Sequence, residues 1–558
     1  MQPNLNTPIS EHRPGWWIPA GAPPEPGIEM IRAAIIRVNE PLLVIDLNGQ
    51  LALGRGGTVS FEQTQPTGIA GYPVQAFVPA LHPGQLGAST FRQRYRLQYN
   101  YVVGAMANGI TSVEMVTAAG RAGMMGCFGA AGLNLAEIDT AIHRLQQNLP
   151  ELPFGFNLIF SPNEPHLEAA VADLYLKRGI RLVSASAYMD MTLPLVLYRV
   201  KGIHRDSGGR IICPNRVIAK VSRVEVARKF FSPPPPKLLQ VLLTKNLITR
   251  EEAELAANVP MAQDLTAEAD SGGHTDNRPA LALLPTMLAL RDELSEKHRY
   301  PEPICVGLGG GIATPEAAAA AFGMGAAYVL TGSVNQACTE SGTSGTVRQM
   351  LAEAGQADVV MAPAADMFEL GVKVQVLKRG TLFPFRAAKL YDLYQGYSSL
   401  DAIPAKEREI LERDYFRCRF SEEWEQTQAF FQQRDPRQIE QAEKDPKHKM
   451  ALVFRSYLGR SSSWANSGDP TRRMDYQIWC GPSMGAFNEW TRGTLLAGPE
   501  NRTTVTVAMN LLLGAAVKTR CNWLRCQGVS LPPAAEHFAP MKLSEISDIL
   551  ESGTLTGC

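Results

Sequence analysis

From Arg96 onward the chain repeats one unit: a short apolar run, a loop rich in glycine or polar residues, then an amphipathic stretch of helical length. Such runs stand at 101–105, 124–128, 154–160, 182–185, 217–221, 264–269, 304–308 and 328–331. A near-continuous apolar run is what a strand buried on both faces requires, and helices between such runs cover both sides of a parallel sheet. Helix starts are also written in the sequence. Asn134 with Glu137 and Thr249 with Glu252 have capping-box spacing, and Thr314 precedes Pro315 as an N-cap before a first-turn proline. Eight units between residues 101 and 331 match the scale of an α/β fold of the (β/α)8 (TIM) barrel type. The rival, a doubly wound dinucleotide-binding sheet, calls for GxGxxG after an early strand, and none stands there.

At 558 residues the chain exceeds one compact domain. Residues 1–95 read as a Pro/Gly-rich cap with a strand-like run at 41–46, and residues 96–383 as the barrel. A helical insertion near 232–260 opens on four prolines at 233–236, and 384–558 is a mainly helical carboxyl-terminal region, highly charged up to 449. Hydrophobic residues at 45% and charged residues at 19% belong to a globular chain rather than a disordered one. Lys plus Arg and Asp plus Glu balance at 54 each, which leaves no overall electrostatic footprint for nucleic acid or an anionic membrane. The nine cysteines are scattered with no CxxC pair, so free thiols in a reducing compartment are expected and a metal site is not. Residues 1–17 lack the apolar core of a leader peptide. The longest apolar stretch, 505–517, is closed by Arg502 and Lys518 and is too short to span a bilayer. A cytoplasmic protein is the expectation.

Candidate chemistry clusters at the ends of the apolar runs. The loop after the first carries Ala105, Met106, Ala107 and Asn108 ahead of a glycine-rich stretch at 118–132. Small residues at a strand's carboxyl end let backbone amides approach a flat ligand, although turn chemistry alone also explains them. Gly309, Gly310 and Gly311 follow the seventh run, and Thr331, Gly332 and Ser333 end the eighth. In barrels these positions grip phosphate through the amides of two loops and a helix amino terminus. His274 follows Gly272 and Gly273, which leave room beside it for a ligand ring, and Asp270 and Asp276 are placed to orient the imidazole and raise its pKa.

Together the Ala105-Met106-Ala107-Asn108 loop, Phe156-Asn157-Leu158, Gly272-Gly273-His274, the triple glycine and Thr331-Gly332-Ser333 resemble the FMN barrels of the nitronate monooxygenase-like superfamily. Two longer stretches, 364–391 beginning Ala364-Ala365-Asp366 and 475–488 beginning Asp475-Tyr476, resemble signatures of the PfaD family, the trans-acting enoyl reductases of polyunsaturated fatty acid and polyketide synthases. The resemblance implies FMN contacts at Ala105, Met106, Ala107, Asn108, Asn157, Gly272, Gly273 and the two phosphate loops. It also implies Lys220 beside the electron-rich edge of the ring, a strand-end lysine in solvent being the other reading. NADPH or NADH would reduce the flavin and leave, and an enoyl thioester on an acyl carrier protein would then take hydride at its β-carbon. His274 is implied as the acid for the α-carbon or as the group orienting the thioester, with water as the other proton source. A nitronate monooxygenase and a non-catalytic flavin-binding component of a synthase are the rival readings. The region after 384 is expected either to help deliver the carrier-bound chain, through Arg386, Lys389 and Arg455, or merely to cover the barrel's flank. The oligomeric state is open, a homodimer being one option.

Overall fold

A computed structural model describes residues 15–62, 70–162 and 164–552. Residues 1–14, on which most of the leader reading rests, and Cys558 lie outside them. The chain divides into two compact units. One comprises Met1–Leu86, Thr314–Gly323 and Ala508–Cys558, the other Gly87–Ala313 and Met324–Val507.

The second unit holds the barrel. Its strands are β1 (Tyr101–Val103), β2 (Met125–Phe128), β3 (Phe154–Ile159), β4 (Leu182–Ser186), β5 (Arg216–Val221), β6 (Asp264–Glu268), β7 (Cys305–Gly309) and β8 (Val329–Thr331). They close in the order β4-β5-β6-β7-β8-β1-β2-β3. The seam pairs β8 with β1 in parallel, Val329 opposite Tyr101 and Thr331 opposite Val103. All eight apolar runs are strands, and the predicted capping boxes form. The Glu137 amide donates to Asn134 Oδ1 at 3.0 Å, and the Glu252 amide to Thr249 Oγ1 at 3.1 Å. Residues between β5 and β6 form the helix Val224–Phe231 and then two short helices, Pro236–Thr244 and Arg250–Ala256.

One end of the barrel is plugged by the helix Ser89–Tyr95. Phe91 stacks on Tyr328 with centroids 4.1 Å apart, above a floor of Met125, Cys127, Leu182, Ile218 and Cys305. Asp264, buried at the start of β6, accepts hydrogen bonds from Arg94 and, at 2.6 Å, from Tyr95 Oη. Higher up, Thr266 pairs with the Tyr328 hydroxyl at 2.8 Å, and the Thr331 hydroxyl donates to Tyr101 at 2.7 Å. These polar groups inside are thus matched, and the carboxyl face of the barrel is the end where the loops gather.

The same unit adds a three-stranded antiparallel sheet in which Gly273–His274, from the loop after β6, pairs with Lys373–Leu377, and that strand with Val359–Pro363, both beyond β8. The helices Phe383–Gly396 and Pro446–Ser467 pack on it through Phe368, Val376, Leu390, Phe454 and Tyr457. The carboxyl-terminal region is therefore helical as expected, but two of its three expected surface cations are not on the surface. Arg386 is 15% exposed and bonds the fully buried Asp475. Arg455 donates to Ala365 O at 2.9 Å and to Glu369 at 3.1 Å. Their length lets them reach acceptors brought in from distant sequence, which local charge density does not reveal. Lys389 does remain accessible, 3.2 Å from Glu407.

In the first unit the strand-like run at 41–46 becomes Leu42–Leu47, the third strand of a six-stranded antiparallel sheet built around Trp17, Ile45 and Val74. The apolar stretch at 505–517 belongs to a longer helix, Thr504–Cys526. It continues because buried Arg520 finds acceptors in the Arg37 and Glu40 carbonyls at 2.7 and 2.8 Å. Among the described residues no helix is long and apolar enough to cross a membrane.

Candidate active site

The carboxyl ends of the barrel strands bring the predicted loops to one face. After β1 the chain turns sharply: Asn108 adopts φ 58° and its amide donates to Ala131 O at 2.7 Å. Its side chain donates to Ser462 at 2.9 Å, so a helix of the carboxyl-terminal region pins this loop. Asn157, buried on β3, accepts from the amides of Ala130 and Ala131 at 2.7 and 3.1 Å. Its oxygen therefore shapes the loop after β2, while its amide hydrogens have no acceptor among the described residues.

At β7 and β8 the glycines divide their work. A Cβ on Gly310 would lie 2.6 Å from Ala269 O, so this glycine serves close packing onto the β6 loop. Gly311 and Gly332 would meet nothing within 4 Å, and their backbones border open space. The amides of Gly311 and Gly332 have no acceptor among the described residues and are free to meet an anion. Thr331 is buried and its hydroxyl is taken by Tyr101 and Asn335, so its side chain has no donor left for a ligand. The Ser333 hydroxyl accepts from the Gly481 amide at 3.1 Å and keeps its own hydrogen.

Gly481 belongs to the second signature stretch, and this segment joins the site. Trp479 forms an antiparallel bridge with Val376, the Cys480 amide donates to Gln375 O at 3.3 Å, and Gly272 packs on the Cys480 backbone. Any side chain at Gly272 would collide there, and Gly273 has φ 80°, a conformation that only glycine adopts cheaply. The pair is needed for packing and turn geometry as much as for ligand room. Cys480 itself is fully buried, and burial pushes its thiol up to about 12, so it is not a nucleophile.

His274 does not pair with Asp270 or Asp276. Asp276 is held by Arg223, whose guanidinium pulls its pKa down to about 2, and it also accepts from Ser222. Asp270 Oδ1 accepts from Asn277 at 2.8 Å and Gln375 at 2.9 Å, which fastens the His274 loop to the neighbouring sheet. The partner is Asp366, whose Oδ1 lies 3.2 Å from His274 Nε2. Strand pairing explains it: His274 lies opposite Val374, and Val374 opposite Ala362, so the loop leaving that third strand passes beside the ring. Nδ1 has no protein partner among the described residues, and the side chain is 34% exposed. Burial pulls the imidazole pKa down, but the Asp366 carboxylate outweighs it and holds the value above the ordinary 6.5. Lys220, at the end of β5, bonds Glu268 at 2.7 Å. Asp366, Glu268, Gln375 and Gly481 were not singled out as site residues. Asp366, Gln375 and Gly481 do fall inside the two signature stretches, which was the available signal.

With this geometry in view, the comparisons with known proteins are consistent. A family model for nitronate monooxygenase matches residues 94–392, and one for the inserted helical domain of [acyl-carrier-protein] S-malonyltransferase matches residues 397–476. The chain belongs to the nitronate monooxygenase family of barrels and, within it, to the PfaD group. Its relatives include a polyunsaturated fatty acid synthase polypeptide of Thraustochytrium sp., 46% identical over 79% of this chain and 30% of that protein. Another is polyketide biosynthesis protein PksE of Bacillus subtilis, 47% identical over 77% of this chain and 56% of PksE. The chain thus spans between about a third and a little over half of these relatives. Among solved structures, the enoyl reductase domain of MlnA from the macrolactin cluster of Bacillus amyloliquefaciens superposes with TM-score 0.74 at 41% identity, over 80% of this chain and 99% of that one.

Proposed function

We propose that the protein is an FMN-dependent enoyl reductase of a polyunsaturated fatty acid or polyketide synthase. It would act in the cytoplasm on α,β-unsaturated thioesters carried by an acyl carrier protein, with NADPH or NADH as reductant. The observation that carries the reading is the convergence of three elements. The His274 loop and the β8 loop are tied together through Cys480 and Gly481, and the open glycine backbones of β7 and β8 lie in the same ring of loops. The residues fit a flavin monophosphate: amides at Gly311, Gly332 and Ser333 for the phosphate, with Gly309 and Gly310 shaping that loop, and Ala105, Met106, Ala107, Asn108, Asn157, Gly272 and Gly273 for the ring. FMN bound there supplies two-electron chemistry linking a nicotinamide to an activated double bond. Lys220, neutralised by Glu268, offers its remaining N–H groups to an electron-rich ring edge. His274 holds a proton at Nδ1 for the substrate's α-carbon, and the Asp366 carboxylate favours its protonated form. The monooxygenase reading is favoured by the family model and by a relative only 23% identical over 44% of this chain, a Mycobacterium tuberculosis protein that bears a monooxygenase name. Anaerobic NADPH followed by a crotonyl thioester separates the two, since only a reductase yields the butyryl product without oxygen.

Purified protein should carry one FMN per chain and no FAD, because the glycine loops form a single phosphate site. Chromatography of heat-released flavin checks this, and FAD, or no flavin even after reconstitution, would count against the assignment.

Asp366→Asn should lower the His274 pKa, because burial and nearby Lys220 then act unopposed by that carboxylate. A pKa raised by folding adds stability that is fully present below the unfolded value near 6.5 and lost as pH rises through the folded one. The stability gap between wild type and variant should therefore be widest at acidic pH, and the alkaline limb of turnover should move to lower pH in the variant. Parallel pH profiles with unmoved limbs would reduce Asp366 to a packing role.

A further inference from the structure

Away from the barrel mouth, the helix Phe383–Gly396 and the π-helical turn Leu411–Phe416 enclose a groove of about 510 Å³. Its lining is of two kinds. Leu382 and Phe385 are exposed apolar side chains, Phe385 at 66%, and exposed Met474 adjoins them through the Leu382 amide to Met474 O bond of 2.8 Å. Arg413 and Arg417 supply cations above the mostly buried Arg386, against one acidic lining residue, Asp414, which accepts two hydrogen bonds of 2.8 Å from Arg413. Three guanidinium groups, from Arg386, Arg417 and Arg472, share the single buried carboxylate of Asp475, so positive charge is in excess. Arg417 is the least committed. It approaches Asp475 only to 3.7 Å, too far for a hydrogen bond, and its side chain is 41% exposed. Its backbone stands in the left-handed region at φ 59°, on the end of a π-helix, two unfavourable features of the kind that concentrate at functional sites.

We infer that this groove is the docking surface for the acyl carrier protein, receiving an acidic amphipathic helix whose apolar side lies on Leu382 and Phe385 and whose carboxylates meet Arg413 and Arg417. The inference rests on the enoyl reductase reading for the identity of the partner. Charge complementarity selects an acidic occupant, and the apolar floor selects an amphipathic one. Position agrees as well. Asp475 at the groove and Cys480 at the His274 loop are five residues apart, hence within about 18 Å of each other even on a fully extended backbone. An extended phosphopantetheine arm bridges a gap of that order.

The test uses the full-length flavoprotein, a crotonyl-loaded carrier domain of a polyunsaturated fatty acid synthase, and crotonyl-N-acetylcysteamine as the short substrate. Phe385→Ser, Arg413→Glu and Arg417→Glu should each raise the carrier Kd, read by fluorescence anisotropy, and the carrier KM by about tenfold. The Arg variants should also flatten its salt dependence, and KM for the short thioester should stay unchanged in all three. Arg417→Glu could loosen the Asp475 cluster, so Phe385→Ser and Arg413→Glu, whose side chains lie at the surface, decide if its melting temperature falls. An unchanged carrier Kd in folded variants would overturn the inference, as would equal effects on both substrates. So would a wild-type dimer that Phe385→Ser dissociates, because a second copy would then cover the groove. Anisotropy needs no turnover, so an inert enzyme that still binds carrier through this face would refute the reductase reading and not the surface.

Discussion

His274→Ala should leave FMN content and reduction by NADPH nearly intact while slowing reoxidation by an enoyl thioester about 10²–10⁴-fold, the usual cost of losing a general acid. The expectation follows from the ring's placement. Asp366 occupies Nε2, the side chain is partly open, and Nδ1 is left without a protein partner among the described residues. A histidine whose only task was to hold its loop would be expendable here, because Asp270, Asn277 and Gln375 already fasten that loop. Stopped-flow measurement of each half-reaction provides the check. Equal slowing of both would point to a disturbed ring site, and unchanged reoxidation would leave water as the proton source.

The largest effect on stability is expected at the plugged end of the barrel. Arg94→Met should destabilise the protein by about 3–5 kcal/mol, since it leaves a buried carboxylate without the guanidinium that bonds it, with only the more distant Arg216 as cation. Asp264 is fully buried, and burial already raises its pKa despite Arg94 and the Tyr95 hydroxyl. Without Arg94 that pKa climbs further. A group raised by folding favours the native state only where it is protonated, and that advantage is lost as pH rises through its folded value. The variant's deficit should thus be greatest at neutral pH and shrink as pH falls through the Asp264 titration. Urea midpoints across that range test both sign and size, and a loss under about 1 kcal/mol at neutral pH would mean that the pair is no more than a surface-like contact.

What could be read in advance was local. The barrel strands announced themselves because a strand covered on both faces must be apolar along its whole length, and Asn134 and Thr249 because capping is settled within four residues. The misreadings had one origin. Asp270 and Asp276 were the carboxylates nearest His274 in sequence, yet the one that meets it lies 92 positions away. Arg386 looked like a surface cation until Asp475, 89 positions on, drew it inside.

By itself the sequence determined the barrel, the loops at its carboxyl face and the histidine among them, because periodicity, capping and glycine placement act over a few residues. Only the tertiary structure decided which carboxylate holds His274, which glycines pack and which lie open, and that the Trp479–Gly481 segment ties the His274 loop to Ser333. Those outcomes depend on strand register and on hydrogen bonds between segments up to 148 residues apart. No local pattern encodes a partner at that distance, because it is chosen by packing that exists only after the chain has folded.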